Sequence, residues 1–315
     1  MAPDVLIVSL GTTAGLRTAD DALEASLRRA GATTALARVA LPRPLPPTLP
    51  AQDFLLAAAA RRSMTASRAV VYSTTTAALL WPRPGAIRFD ALSAANRPGR
   101  HGIWQRPLER RRLASASLLV PWSDGALKEG PPVATPSLVV PVPVEPGARG
   151  GMRDLAALTY GANPFKKGLD RVLGAWALAR REGETLLVLG GPRVDAPGVR
   201  WQALASPPEW RALLRRSRVY VTAPRREDYG LAQLEALAEG CALVTTPAPG
   251  PYAALPIARA LDARLVTDDL AGAVRAALDD PLADYAERAA EALAPWRPEA
   301  VDALVRQRLL PLLLG

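Results

Sequence analysis

The sequence predicts an α/β protein built from two parallel-sheet domains. Short apolar runs rich in β-branched residues alternate with helical patterns along the whole chain, as in βαβ units. The length of 315 residues favours two domains, since one domain usually holds roughly 100–200 residues. A proline- and glycine-rich passage near 131–151 separates the two halves. We therefore expect an N-terminal domain at 1–148, a C-terminal domain at 149–296 and a last helix within 297–315.

In the N-terminal half, the first predicted strand is Val5–Leu10, which is apolar and stops at Gly11. Proline enrichment at 41–50 predicts a connection outside the sheet, because proline supplies no backbone donor. The remaining predictions are helices at 18–30, 52–67 and 108–113, strands at 69–72, 85–89 and 117–120, a loop at 96–102, and a valine-rich strand within 131–146.

The C-terminal half repeats the alternation. Strands are predicted at 155–160, 185–189, 219–223 and 242–246, and helices at 168–181, 209–216 and 231–239. Pro295 and Pro298 interrupt the chain before a last predicted helix at 299–310.

Composition excludes several classes of protein. The net charge of +9 comes mostly from arginines spread along helices, and aromatic residues make up only 5%, so we expect no nucleic-acid partner. One cysteine, Cys241, excludes a disulfide scaffold and a zinc cluster. No secretory leader or membrane-spanning run is visible, which favours a cytoplasmic protein. The basic surplus is compatible with peripheral contact at the inner membrane face.

Two acids, Glu227 and Glu235, stand eight residues apart around a predicted helix start near Gly230. A helix start offers unpaired N–H groups and partial positive charge, which suit an anion, while carboxylates accept hydrogen bonds from vicinal hydroxyls. The combination favours a nucleotide-linked polyol as ligand.

This segment resembles the Glu-x7-Glu element of the retaining family 4 glycosyltransferases of the GT-B type. The pairs Gly230-Leu231 and Leu234-Glu235 are in register with that element, and 236–240 resembles its continuation. Residues 160–170, which end in Lys-Gly-Leu-Asp, and 188–192 are similar to two further family segments, so the resemblance covers roughly 155–250. It implies two Rossmann-like domains facing each other across a cleft. In the N-terminal half only the layout agrees.

The resemblance also implies residue roles. Lys167 would stabilise the leaving diphosphate, Glu227 would orient the donor sugar as the second catalytic residue, and Glu235 would bind the ribose. It implies a nucleotide-sugar-binding C-terminal domain, an acceptor-side N-terminal domain to which the last helix returns, and neither metal nor cofactor beyond the donor substrate. The other implied donor-binding residues are Lys166, Tyr229, Gly230, Leu231, Gly11, Gly15, Asn163, Arg225 and Arg226.

The chain departs from the family pattern at several positions. Ala162 stands where the family usually has an arginine, and Lys166, Arg225 or Arg226 would have to replace it. The usual histidine after the fourth strand is missing, which leaves Asp90 and the later His101 as candidate sugar contacts. The family's Gly-Gly-x-x-Glu pattern is lost at 250–254.

The predicted function is therefore transfer of a sugar, with retention, from a nucleoside diphosphate donor to an unknown carbohydrate, lipid or small-molecule acceptor. The alternative is a non-catalytic nucleotide-sugar-binding or partner protein of the same fold. A nicotinamide-dependent dehydrogenase is a third hypothesis, although Gly11-x3-Gly15 is not the dinucleotide fingerprint. Taken singly, the two acids, the Lys166-Lys167 pair and the first glycine loop are also explained by ordinary helix acids, a solvated turn and a tight turn.

Overall fold

A computed structural model describes residues 2–40, 46–148 and 150–315. The chain forms two compact units, an N-terminal unit of Met1–Pro143 with Pro298–Gly315 and a C-terminal unit of Val144–Arg297. The sequence placed these boundaries after 148 and 296. Residues 41–45 of the predicted proline-rich connection lie outside the described residues.

The described residues form ten strands, five in each unit. They are β1 (Val5–Ser9), β2 (Thr34–Arg38), β3 (Ala69–Tyr72), β4 (Ala86–Phe89), β5 (Leu118–Pro121), β6 (Leu155–Tyr160), β7 (Leu186–Leu189), β8 (Val199–Gln202), β9 (Ser217–Thr222) and β10 (Ala242–Thr245).

The α-helices before residue 143 are α1 (Ala14–Arg29), α2 (Leu49–Arg62), α3 (Thr75–Ala78), α4 (Ser93–Asn96), α5 (Gln105–Ser115) and α6 (Asp124–Lys128). The later ones are α7 (Pro164–Lys167), α8 (Leu169–Ala179), α9 (Pro207–Arg216), α10 (Leu231–Ala238), α11 (Ala254–Leu261), α12 (Leu270–Asp279), α13 (Tyr285–Ala292), α14 (Pro298–Leu304) and α15 (Leu310–Leu314). The chain also contains short 3-10 helices at Gly99–Gly102, Ala263–Leu265 and Ala294–Trp296, and a π-helix at Val305–Leu309.

Both sheets are parallel, and both reverse their strand order beside their first strand. The N-terminal sheet has the order β2-β1-β3-β4-β5 and the C-terminal sheet the order β10-β9-β6-β7-β8. In such sheets ligands bind outside the carboxyl ends of the strands at the point of reversal. That switch point lies between β1 and β3 in the N-terminal unit and between β6 and β9 in the C-terminal unit.

The central strands are buried on both faces, which explains why their sequences are continuously apolar. The N-terminal unit has one core on each side of its sheet, and the C-terminal segment contributes Val301, Val305 and Leu309 to one of them. Asp302 anchors the same segment by accepting hydrogen bonds from Ser26 and Arg29 of α1. The segment is helical as predicted, but its α-helix is interrupted by the π-helix at Val305–Leu309.

Several predictions of local structure need correction. β2 and β8 were missed because they are edge strands, partly or largely exposed, and lack an apolar run. The valine-rich segment within 131–146 forms a single bridge, Leu119 to Ser137, rather than a strand ladder. The Leu138 and Val140 amides donate to the Leu119 and Pro121 carbonyls of β5, but Pro121 supplies no N–H in return. The predicted loop 96–102 contains the end of α4 and a 3-10 turn.

The first helix also begins earlier than predicted. Thr13 caps α1 by accepting a hydrogen bond from the Leu16 amide at 3.2 Å. Gly15 therefore lies inside the helix, and only Gly11, with φ +52°, belongs to the loop after β1. Among the described residues, none of the helices has the length and apolar character needed to span a bilayer.

Candidate active site

The predicted residues of the C-terminal unit gather at its switch point. The loop after β6 carries Asn163, Lys166 and Lys167, and the loop after β9 carries 225–230. β6 and β9 are direct neighbours in the sheet, so these two loops leave the same edge side by side. Lys166 and Lys167 therefore form hydrogen bonds with acids of the second loop, although about 60 residues separate them in the sequence.

The first loop is shaped by two residues in the left-handed region. Asn163 has φ +53° and caps α7, its side chain accepting from the Lys166 amide. Gly168 has φ +65°, and a Cβ there would lie 1.8 Å from the carbonyl oxygen of Ala223 at the end of β9. Only glycine permits this approach of the two loops.

Further bonds join the two loops. The Arg225 amide donates to the Lys166 carbonyl at 2.9 Å, and its guanidinium donates to the Phe165 carbonyl at 2.7 Å. The same guanidinium forms two hydrogen bonds with Asp170 and stacks on the Phe165 ring at 4.4 Å. Arg225 thus fastens the loops together, and the phosphate contact predicted for it stays a prediction.

Glu227 receives two donors on one carboxylate oxygen. Lys167 Nζ lies 2.6 Å and Gln233 Nε2 lies 2.9 Å from Glu227 Oε2. The glutamate is 4% exposed, whereas the Lys167 side chain is 21% exposed. Within the described part of the chain, Oε1 accepts no hydrogen bond, so this second oxygen remains available to a ligand hydroxyl.

The start of α10 provides unpaired backbone donors beside this pair. Gly230, with φ +87°, is the cap, and a Cβ there would lie 2.8 Å from the Tyr252 ring. In the described residues the amides of Gly230 and Leu231 donate to no backbone carbonyl, as expected at a helix start. The Tyr229 hydroxyl accepts a bond from Trp296 Nε1 at 2.9 Å, and the predicted ligand contact of the Tyr229 backbone amide stays a prediction.

Asp228 contacts the two other cations of the site. Its carboxylate accepts from Lys166 Nζ through one oxygen and from Arg226 Nε at 2.8 Å through the other. Burial alone would raise the pKa of this carboxyl, but the charges of Lys166 and Arg226 outweigh it and hold the pKa below the usual range. Asp228 is therefore ionised at neutral pH.

Glu235 lies further along α10 and contacts an aromatic residue rather than a cation. Trp210 Nε1 donates to Glu235 Oε2 at 2.7 Å, and the Trp210 ring packs edge-on against Tyr160 and Tyr220. Burial raises the pKa of Glu235, although the hydrogen bond from Trp210 opposes the shift. The structure thus joins Lys167 directly to Glu227 and not to Glu235, and a shared ligand for all three stays a prediction.

The remaining candidates belong to the N-terminal unit. Gly11 directly follows Leu10 after β1, and its carbonyl accepts from Arg17 Nη1 at 2.8 Å. Asp90 is half-buried directly after β4, and His101 is exposed in the 3-10 turn. Their predicted contact with a donor sugar stays a prediction.

Three residues of the site were missed by sequence reasoning. Asp228 and Gln233 lie inside the recognised element, and a glutamine in a helix whose other residues, apart from Glu235, are apolar was a visible signal for Gln233. Trp210 had no such signal, because it lies in another helix, 25 residues from Glu235.

A cavity of about 270 Å³ in the C-terminal unit lies elsewhere. Its lining includes Arg153, Leu155, Thr185 and Arg218, which stand at the amino ends of the strands, so it shares no residue with the site. The described residues contain no group of three or more His, Cys, Asp or Glu side chains placed to hold a metal ion.

Known structures of the same architecture define the class of this fold. WaaG, a glycosyltransferase involved in lipopolysaccharide biosynthesis, is 14% identical, with 99% of each chain covered and a TM-score of 0.71. HepE from Anabaena, solved with UDP and glucose, is 12% identical over 97% of this chain and 98% of its own, with a TM-score of 0.68. The sucrose-phosphate synthase of Thermosynechococcus elongatus is 15% identical over 99% of both chains, with a TM-score of 0.66. The protein has the two-domain α/β fold of the GT-B glycosyltransferases.

A sequence model of one protein family matches most of the C-terminal unit. Residues 156–283 match the family described as glycosyl transferases group 1. The matched residues contain both loops of the candidate site. No curated protein matches the chain.

Proposed function

We propose that the protein is a retaining glycosyltransferase that moves a sugar from a nucleoside diphosphate donor to an acceptor still to be identified. One observation carries the proposal: at the switch point of a group 1 glycosyltransferase domain, Lys167 and Glu227 are paired beside the unpaired amides of α10. A cation and helix N–H groups suit a diphosphate, and an adjacent carboxylate suits sugar hydroxyls.

In this proposal each group acts on a different part of the donor. Lys167 stabilises the charge that builds on the departing diphosphate, since electrostatic stabilisation of a leaving group is most effective in a partly buried site. Glu227 Oε1 holds a hydroxyl of the donor sugar, and Glu235 accepts from the ribose. The bond from the anomeric carbon to the phosphate oxygen breaks, and the acceptor oxygen bonds to the same face. The acceptor proton passes to the departing phosphate.

The test is release of nucleoside diphosphate from a panel of UDP-, GDP- and ADP-sugars, with UDP-glucose first because HepE was solved with UDP and glucose. We expect release with one donor base, and the NMR coupling constant of the product should show an unchanged anomeric configuration. Binding of a donor without release or transfer with any sugar would favour the non-catalytic alternative. Thermal stabilisation by NAD, with none by the nucleoside diphosphates, would favour a dehydrogenase.

We further propose peripheral contact with a membrane from the cytoplasmic side. The support is two exposed apolar residues of the N-terminal unit, Phe54 at 52% and Ile103 at 69% exposure. The Phe54 ring lies 6.1 Å from the ring of Trp104, the residue after Ile103, and Arg100 and Arg106 are close to Ile103 in sequence. The double variant F54S/I103S should lose cosedimentation with anionic vesicles, whereas L178S, which alters an exposed leucine of α8, should keep it. Equal sedimentation of both variants would remove this proposal.

A further inference from the structure

We propose that Asp228 competes with the diphosphate of the donor for Lys166 and Arg226, and so limits how tightly the nucleoside diphosphate is held. The inference rests on the proposed function and concerns the same site. It assigns to Asp228 a role in affinity and product release, in addition to the roles of the paired lysine and glutamate.

The first argument is the geometry of the carboxylate. Asp228 Oδ2 accepts from Lys166 Nζ in the loop after β6, and Oδ1 accepts from Arg226 Nε in the loop after β9. Each carboxylate oxygen of Asp228 therefore accepts a hydrogen bond from a cationic side chain. A phosphate oxygen approaching either cation has to share it with this carboxylate or displace it.

The second argument is the difference in exposure between the acid and its partners. The Asp228 side chain is 10% exposed, whereas Lys166 is 38% and Arg226 is 21% exposed. An anion from solvent therefore reaches the cations without first passing the acid. It then meets the fixed negative charge behind them, which opposes its binding.

The third argument comes from comparison with Glu227. When a ligand takes Lys167, Glu227 keeps the hydrogen bond from Gln233. In the described part of the chain, the carboxylate of Asp228 has only its two cations as donors. Losing them leaves a buried carboxylate without compensation, which is costly. The aspartate therefore recaptures its cations when the product leaves.

The test is calorimetric measurement of UDP, GDP and ADP affinity for the native protein and for D228N. Asparagine keeps the shape and removes the charge. We expect at least a fivefold lower Kd for the preferred diphosphate, a smaller gain for the monophosphate, and slower release in stopped-flow experiments. D154N is the matched control, because Asp154 also pairs with an arginine but precedes β6. The six residues of β6 put it about 20 Å from the site, beyond the screening length.

The outcomes separate the two proposals. Binding of at least one of the three diphosphates by the native protein with no gain in D228N, or with an equal gain in D154N, overturns the role of Asp228 and leaves the proposed function intact. Failure of the native protein to bind any of the three diphosphates overturns both. If D228N does not fold, K166M decides: at least a fivefold weaker diphosphate affinity supports the competition, and unchanged affinity overturns it.

Discussion

The two units have related parallel sheets and differ in what occupies their switch points. In the C-terminal unit, Lys167 and Glu227 are paired with one partner buried and the other partly exposed. In the N-terminal unit, Arg88 of β4 and Asp20 of α1 are both 1% exposed, 3.7 Å apart. The neighbourhood of the switch point therefore holds a pair accessible to solvent in one unit and a pair enclosed by protein in the other.

Neighbouring side chains surround the buried pair of Asp20 and Arg88. Ser9 Oγ, at the end of β1, donates to Asp20 Oδ2 at 2.5 Å, and the Arg88 guanidinium stacks on the Trp122 ring at 4.8 Å. Burial raises the pKa of Asp20, with Arg88 and Ser9 opposing the shift. Charges at a switch point can bind a ligand only where they keep a route to solvent.

The largest predicted effect breaks the enclosed pair. D20N should destabilise the N-terminal unit by about 3–5 kcal/mol, because it leaves the buried Arg88 charge without its carboxylate. Urea unfolding measures this loss, and D20N/R88M should recover part of it. Nucleotide affinity of the folded protein should not change. A D20N protein as stable as the native one would show that the two switch points do not differ in the way described.

The next effect concerns the accessible pair. K167M should lower the rate of diphosphate release about 100-fold, the order expected when one electrostatic stabiliser of a transition state is removed. Its stability should change far less than that of D20N, since the lysine is partly solvated. R216M is the control, because it removes an arginine that pairs with Asp154 away from the site. Loss of activity in both variants would point to a general effect of charge.

A smaller effect is expected when Glu235 loses its charge: donor affinity should fall, whereas the stability of the fold should rise. Its pKa is raised in the folded state, so the folded protein takes up a proton more readily than the unfolded chain. Acidification through that raised pKa should stabilise the fold and weaken donor binding. E235Q should bind the nucleoside diphosphate about tenfold more weakly and melt slightly higher at neutral pH. Tighter binding by E235Q would contradict a ribose contact.

The sequence predicted those parts of the molecule that depend on local pattern. Buried strands such as 69–72 and 155–160 are continuous apolar runs, and their limits match the structure. The GT-B fold, which the resemblance of the Glu227-to-Glu235 element implied, was confirmed by the two parallel sheets and the structural neighbours, and residues 156–283 match the group 1 glycosyltransferase model. The edge strands β2 and β8 were missed because exposure to water removes their apolar signal, whereas the edge strands β5 and β10 are largely buried and were predicted.

What the sequence could not supply is the pairing of charges. Residue types at 166–167 and 225–228 indicate an anion site, but only the fold shows that Asp228 faces Lys166 and that Arg225 binds Asp170. Such contacts join segments about 60 residues apart, and several cations and acids compete for each partner. Spacing alone cannot rank those alternatives.

The smallest effect tests how the accessible pair is positioned. Gln233 is 1% exposed and donates to the same Glu227 oxygen that binds Lys167, so the two donors together hold the Glu227 carboxylate in place. Q233L should lower kcat about fivefold with little change in KM, because the loss of one hydrogen bond is worth roughly 1 kcal/mol. Q233E places a second carboxylate beside Glu227 and should make activity depend more steeply on pH. Unchanged kcat in both variants would mean that Lys167 alone positions Glu227.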